Sequence, residues 1–128
     1  MKNLIIDAAE KKILLTLIID KNIYTFSHDN SKSNFEKLVI FIKEFLNENK
    51  CIIDEINAIY VNRGPGSFAG IRNSLTVVKG LFFAKNIDYY CFSLKDFKGS
   101  VKIKHKDVPN LCNKFKIKKN LINPIYLS

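Results

Sequence analysis

The stretch Arg63-Gly64-Pro65-Gly66-Ser67-Phe68-Ala69-Gly70-Ile71-Arg72 has the residue types and spacing best suited to a chemical task. A glycine-rich turn leading from a strand into a helix offers backbone N–H groups and the positive end of the helix dipole to an anion. Gly64 and Gly66 permit positive φ, Pro65 stiffens the turn, and Gly70 lets the helix start close to a sheet. Arg63 and Arg72 are the only arginines beside nineteen lysines. Their position flanking the loop suits planar bidentate or stacking contacts that lysine does not reproduce. The spacing matches neither phosphate-loop pattern. A Walker A loop needs Lys-Ser/Thr after its last glycine, where Ile71-Arg72 stand, and in the dinucleotide fingerprint the third glycine falls one residue earlier. A phosphate contact and a structural strand-to-helix turn both stay open, with the spacing favouring the turn.

Other candidate groups are sparser. Asp7 ends an apolar segment and suits either a phosphate- or metal-proximal carboxylate or, more simply, a turn-forming Asp. A nuclease of the ribonuclease H type needs several strand-end acids, for which Asp54, Glu55 and Asp88 are candidates by number only. Ser67 as a nucleophile would need a base, and no motif links it to His28 or His105. The histidines are too far apart for a paired metal motif. Cys51, Cys91 and Cys112 form no CxxC pair and read as buried free thiols. No metal site is expected.

These groups need a scaffold. Asn3–Asp7, Lys12–Ile19 and Asn22–Ser27 read as an antiparallel three-strand meander. Ser33-Asn34-Phe35-Glu36 fits a capping box opening a helix through about Asn49. Its stripe of Phe35, Leu38, Val39, Phe41, Ile42, Phe45 and Leu46 is wider than one sheet face requires. Ile56–Asn62 reads as a fourth strand, about Ile71 to Asn86 as a second helix, and Asp88–Phe92 as a fifth strand. Ile71, Leu75, Val78 and Phe82 form the core stripe of that second helix. Val77, Gly80, Leu81 and Ala84 lie on its other side. Gly80 inside a helix costs about 1 kcal/mol relative to Ala, so close approach of another backbone is the natural reason for it. Ser93-Leu94-Lys95-Asp96 reads as a further helix start. Val101–Lys104 and Phe115–Lys118 alternate as a hairpin would. The order βββαβαβ defines an α/β layer with helices covering the sheet.

The length of 128 residues fits one domain with a real core, and 47% apolar content excludes a disordered chain. No apolar run approaches the ~18 residues of a membrane span, and the N-terminus does not read as a signal peptide, so a soluble, cytoplasmic protein is expected. The net charge of +9 is uneven: residues 1–94 carry +2 and residues 95–128 carry +7. A basic tail suits a nucleic acid or acidic partner, although lysine is heavily used throughout the chain.

The loop, running into Lys79-Gly80-Leu81, closely resembles the signature of the TsaB (YeaZ) family, GPGSFTGLR followed by a KGL helix, with Ala69 and Ile71 as mild departures. Leu4-Ile5-Ile6-Asp7 resembles the family's opening strand, Glu36 and Leu38 part of its HSExL helix start, and Ser93-Leu94 its SL dipeptide. Pro124-Ile125-Tyr126-Leu127 is similar to its C-terminal PxYL. The resemblance implies half of an actin/Hsp70-type, ribonuclease H-like ATPase fold, with a TsaB-like α/β domain over 1–97 and a short basic remnant of the second subdomain over 98–128. Two departures count against nucleotide binding or helix-start identity: Asp7-Ala8-Ala9 lacks the family's hydroxyl after the Asp, and Asn34-Phe35-Glu36 replaces His-Ser-Glu.

The resemblance further implies a non-catalytic subunit, without a cofactor of its own, in threonylcarbamoyladenosine synthesis on tRNA. Its partner would be TsaD, which carries the metal and transfers the threonylcarbamoyl group to the adenosine beside the anticodon, with TsaE as an associated ATPase. tRNA would be reached through that complex, and a homodimer could form when TsaD is absent. Phe41, Val77, Gly80, Leu81 and Ala84 are the expected partner interface. The alternatives are an independent nucleotide-binding ATPase or degenerate glycoprotease-like hydrolase using the glycine loop, and a stand-alone RNA-binding module using the tail.

Overall fold

Residue alternation and helical periodicity combine into one five-stranded sheet covered on both faces. A computed structural model describes residues 1–29, 37–97 and 102–126. The capping box at Ser33–Glu36, including Phe35, lies outside the described residues, as do Val101 and Leu127. The elements run β1 (Lys2–Asp7), β2 (Lys12–Ile19), β3 (Asn22–Asp29), α1 (Leu38–Glu48), β4 (Ala58–Asn62), α2 (Phe68–Lys85), β5 (Asp88–Phe92) and α3 (Val108–Lys114). The first seven follow the expected βββαβαβ order.

The strands lie in the order β3-β2-β1-β4-β5. β1 pairs antiparallel with β2 and parallel with β4, placing Ile6 between Leu15 and Val61. β5 continues the sheet in parallel from β4. Because both faces are covered, the central strands lose polar alternation: Leu4, Ile5 and Ile6 are all fully buried.

On one face α1 and α2 pack with the stripes that periodicity calls for. Leu38, Ile42, Phe45 and Leu46 of α1 and Ile71, Leu75 and Val78 of α2 are buried against Leu4, Ile6, Leu15, Leu17, Ile59 and Val61. α2 starts at Phe68 rather than Ile71 because Ser67 caps it, its Oγ accepting the Gly70 N–H at 3.3 Å. It ends at Asn86, whose left-handed backbone directs its N–H to the Phe82 carbonyl.

The second face carries Ile5, Ala58, Tyr60 and Phe92, covered by Phe97, Val108 and Cys112. The C-terminal segment therefore contributes to the core. No hairpin forms there among the described residues: 102–104 and 115–118 are in no strand, and α3 occupies the chain between them. Pro109 in the first turn of α3 explains this, since its fixed φ suits a helix start and its missing N–H costs nothing there. Ser93–Asp96 forms one 3-10 turn instead of a longer helix, closed by Ser93 Oγ on the Lys95 N–H and Asp96 on the Ser93 N–H. Beyond α3, Asn120 binds the edge of β5 through both backbone and side chain, accepting from and donating to Tyr89 at 2.9 and 2.7 Å.

Candidate functional site

The glycine loop joins the end of β4 to α2, and its glycines answer to backbone crowding. A Cβ on Gly64, at φ +110°, would lie 2.0 Å from the Ile125 carbonyl oxygen, and one on Gly66 would lie 2.2 Å from that of Ala9. Ser67 donates its N–H to the same Ala9 carbonyl at 2.7 Å, and Gly64 donates to Asn62 Oδ1 at 2.9 Å. With Gly70 donating to Ser67 Oγ, three of the N–H groups that could have met an anion are taken up within the chain. The Gly64–Pro65 peptide is cis. Gly66 forms a parallel β-bridge with Tyr126.

The two arginines separate. Arg63 directs its fork inward: Nη2 and Nε meet the Asp96 carboxylate at 2.8 and 3.4 Å, and Nη1 donates to the Asn123 carbonyl at 3.0 Å. This is the bidentate use expected of arginine, with a carboxylate of the same chain. Arg72 is exposed, its guanidinium 5.8 Å from the centre of the Phe68 ring, which in turn packs on Tyr126 at 4.6 Å. Half of Phe68's surface remains exposed.

Beside the loop runs a cleft of about 700 Å³, lined by Asp7, Glu10, Lys11, Lys12, Pro65 and Ser67 among others. Asp7 is held at its rim. Its Oδ1 accepts from the Ala9 N–H at 3.2 Å, the turn-forming role, while Oδ2 meets His105 Nε2 at 2.9 Å. Burial pushes the Asp7 carboxyl up, but the His105 hydrogen bond and charge, the Asn62 side chain and the Ala9 N–H outweigh it and leave it below the ordinary carboxylate value. Asn62 thus serves Asp7 and Gly64 together. Sequence reasoning did not single out Asn62, and His105 sits 98 positions from its partner without a local signal.

Asp54, Glu55 and Asp88 do not converge on Asp7. Asp54 pairs with Lys85 and Glu55 with Lys2, while Asp88 starts β5, at the opposite end of the sheet, and accepts from Asn120. No cluster of three metal-ligating side chains occurs among the described residues.

The expected partner interface is divided by depth. Val77 and Leu81 are half-buried against the first core, as is Phe41, which packs on Phe26 and stacks on His28 at 4.7 Å. Gly80 and Ala84 are exposed, and a Cβ on Gly80 would meet nothing within 4 Å. The backbone approach suggested by this helical glycine is not made within the described chain. Phe83 on the same helix is 74% exposed, and Val39 and Ile40 of α1 are exposed as well.

The sheet, its strand order and the helices define an actin-like, ribonuclease H-like α/β fold. YeaZ from Pseudomonas aeruginosa superposes with a TM-score of 0.67 at 24% identity, over 72% of this chain and 43% of that one. Thermus thermophilus RuvC superposes at 0.55 and 13% identity, over 92% and 82%. The family model described as "TsaD: tRNA N6-adenosine threonylcarbamoyltransferase" matches residues 28–94. Two curated relatives are named tRNA threonylcarbamoyladenosine biosynthesis protein TsaB. That of Buchnera aphidicola subsp. Baizongia pistaciae (strain Bp) is 35% identical over 71 residues, 48% of this chain and 32% of the relative. That of Buchnera aphidicola subsp. Schizaphis graminum (strain Sg) is 30% identical over 73 residues, 57% and 35%. The chain belongs to the TsaB/YeaZ family. Its match spans about a third of each curated relative's length. No helix among the described residues is long and apolar enough to cross a membrane.

Proposed function

We propose that this chain is a non-catalytic, cytoplasmic partner subunit in tRNA threonylcarbamoyladenosine biosynthesis, and that it binds and supports a TsaD-like transferase through the outward faces of α1 and α2. The observation that carries this reading is the open surface at Gly80, where a helix tolerates its least favourable ordinary residue with no neighbour in the described chain. Exposed Phe83, Ala84, Val39 and Ile40 widen the apolar area on these two touching helices. The names of the relatives and of the matching family model supply the pathway. In this reading a TsaE-like ATPase and tRNA are met through the complex, a homodimer forms when the transferase is missing, and the subunit needs no cofactor. The exposed lysines between residues 102 and 119 then lie on the tRNA side of that complex.

Co-expression with the TsaD of the same genome tests it. A stable heterodimer is expected, and Gly80→Leu should weaken co-purification while leaving the monomer folded. Undiminished capture of TsaD by the folded variant would overturn the assigned face.

The cleft beside the glycine loop favours a second reading, a nucleotide-dependent ATPase or degenerate hydrolase, because Lys11, Lys12 and Ser67 line it together with Asp7. Hydrolysis of ATP by the purified chain alone would select this reading. Activity appearing only with TsaD and TsaE present would select the first.

A further inference from the structure

At the end of the sheet opposite Asp7, between the second face and α3, lies a cavity of about 550 Å³, within the range of small-ligand sites. One wall carries an aromatic pair: Tyr60 and Tyr90, adjacent on β4 and β5, stack on each other with ring centres 5.0 Å apart and planes 12° from parallel. Asn3, neighbouring on β1, lines the same cavity. Its Oδ1 is buried without a hydrogen-bond partner among the described residues, which is uncommon for a buried acceptor. Tyr60 is 8% exposed. Burial pushes its hydroxyl up to about 12, so that it stays a neutral donor and acceptor. Opposite this wall α3 presents Asn110 and Asn113 and the turn after it presents Lys116, while Lys119 bridges to Tyr90 at the edge of β5. Lys119 is only loosely paired, 3.6 Å from Asp88 and 60% exposed.

A stacked tyrosine pair, a buried acceptor without a partner among the described residues, amide side chains and two cations call for complementary features in one ligand. The ligand should be planar, donate an N–H to Asn3 and carry an anionic group that reaches Lys116 and Lys119. We infer that this cavity binds a mononucleotide unit, with an amino-bearing base against Tyr60 and Tyr90 and the phosphate at the two lysines. The unit can come from a free nucleotide or from an unpaired nucleotide of RNA, since both present the same chemistry. The site is separate from the glycine loop and from the α1–α2 face, so it stands whether or not a TsaD-like partner binds.

Calorimetric titration of the full chain with AMP tests this, with adenosine, ribose 5-phosphate and a short single-stranded RNA as comparisons. Saturable AMP binding is expected, with adenosine weaker and ribose 5-phosphate weaker still. Reversing charge at the exposed rim, Lys116→Glu with Lys119→Glu, should weaken AMP by about tenfold and leave adenosine little changed. In NMR spectra the ring signals of Tyr60 and Tyr90 should move on binding. If RNA binds more tightly than AMP and the rim variant loses both, RNA is the source. If AMP binds and RNA does not, a free nucleotide is the source. Lack of saturable binding by both AMP and RNA, AMP binding indifferent to the rim variant, or ribose 5-phosphate binding equal to AMP would each overturn the site.

Discussion

His105 Nε2 stands 2.9 Å from Asp7 Oδ2, fastening the C-terminal segment over the end of the first strand. The Asp7 carboxyl is held below its ordinary value, so the contact adds stability that is complete above the unfolded value of about 3.8 and is lost as pH falls through the folded one. Removing the imidazole leaves burial, the largest influence, acting against fewer opposing contacts. His105→Ala should therefore raise the Asp7 value, destabilise the fold by about 1–2 kcal/mol near neutral pH, and bring on acid unfolding at higher pH. Urea titrations followed by circular dichroism across the acid range check this, and an unchanged acid midpoint would contradict it.

Arg63→Lys keeps the charge but loses the fork that reaches Asp96 and the Asn123 carbonyl together. A loss of about 1–2 kcal/mol is expected. Thermal unfolding of this variant beside Arg72→Lys gives the contrast, because Arg72 is exposed and its substitution should change stability by less than about 0.5 kcal/mol.

The glycines should divide into two classes. Gly64→Ala and Gly66→Ala force a Cβ into a carbonyl oxygen, and each is expected to lose about 2–4 kcal/mol. Gly80→Ala enters open space inside a helix and should gain up to about 1 kcal/mol. Equal effects from Gly64→Ala and Gly80→Ala in a denaturant series would contradict the packing described for the loop.

Cys51, Cys91 and Cys112 are buried free thiols. Burial pushes Cys91 and Cys112 up to about 12, so at neutral pH almost no thiolate is present at either. A thiol reagent should label the native protein slowly and all three sites quickly in denaturant. Rapid native labelling of Cys91 or Cys112 would show that the second-face core opens readily.

Much of the scaffold was legible because burial leaves a period in the chain. Lys12–Ile19 and Asp88–Phe92 coincide with β2 and β5, and Leu38, Ile42, Phe45 and Leu46 mark the buried side of α1. The apolar stripe points to a start of α2 at Ile71, whereas the helix is set by Ser67, whose cap precedes the stripe. For α3 the sequence does carry a helix start, Asp107-Val108-Pro109. Lysine alternation around it imitated a hairpin. The site was only partly legible. Glycines at 64 and 66 announced a tight turn, but which carbonyls crowd them depends on Ile125 and Ala9, brought there by tertiary folding. The partners of Asp7 and Arg63 likewise come from distant segments, which local patterns do not encode.

The bond from the Ile125 N–H to the Arg63 carbonyl and the Gly66–Tyr126 bridge impose an order on synthesis. As the chain leaves the ribosome, the meander of β1 to β3 can pair long before the loop's far partners exist. Until residues 123–126 emerge, the Arg63 carbonyl and the Asn123-facing part of its guanidinium lack their native partners. The family's signature loop therefore matures only after residues 123–126 have emerged, and a nascent chain stalled before them would display its sequence without its shape.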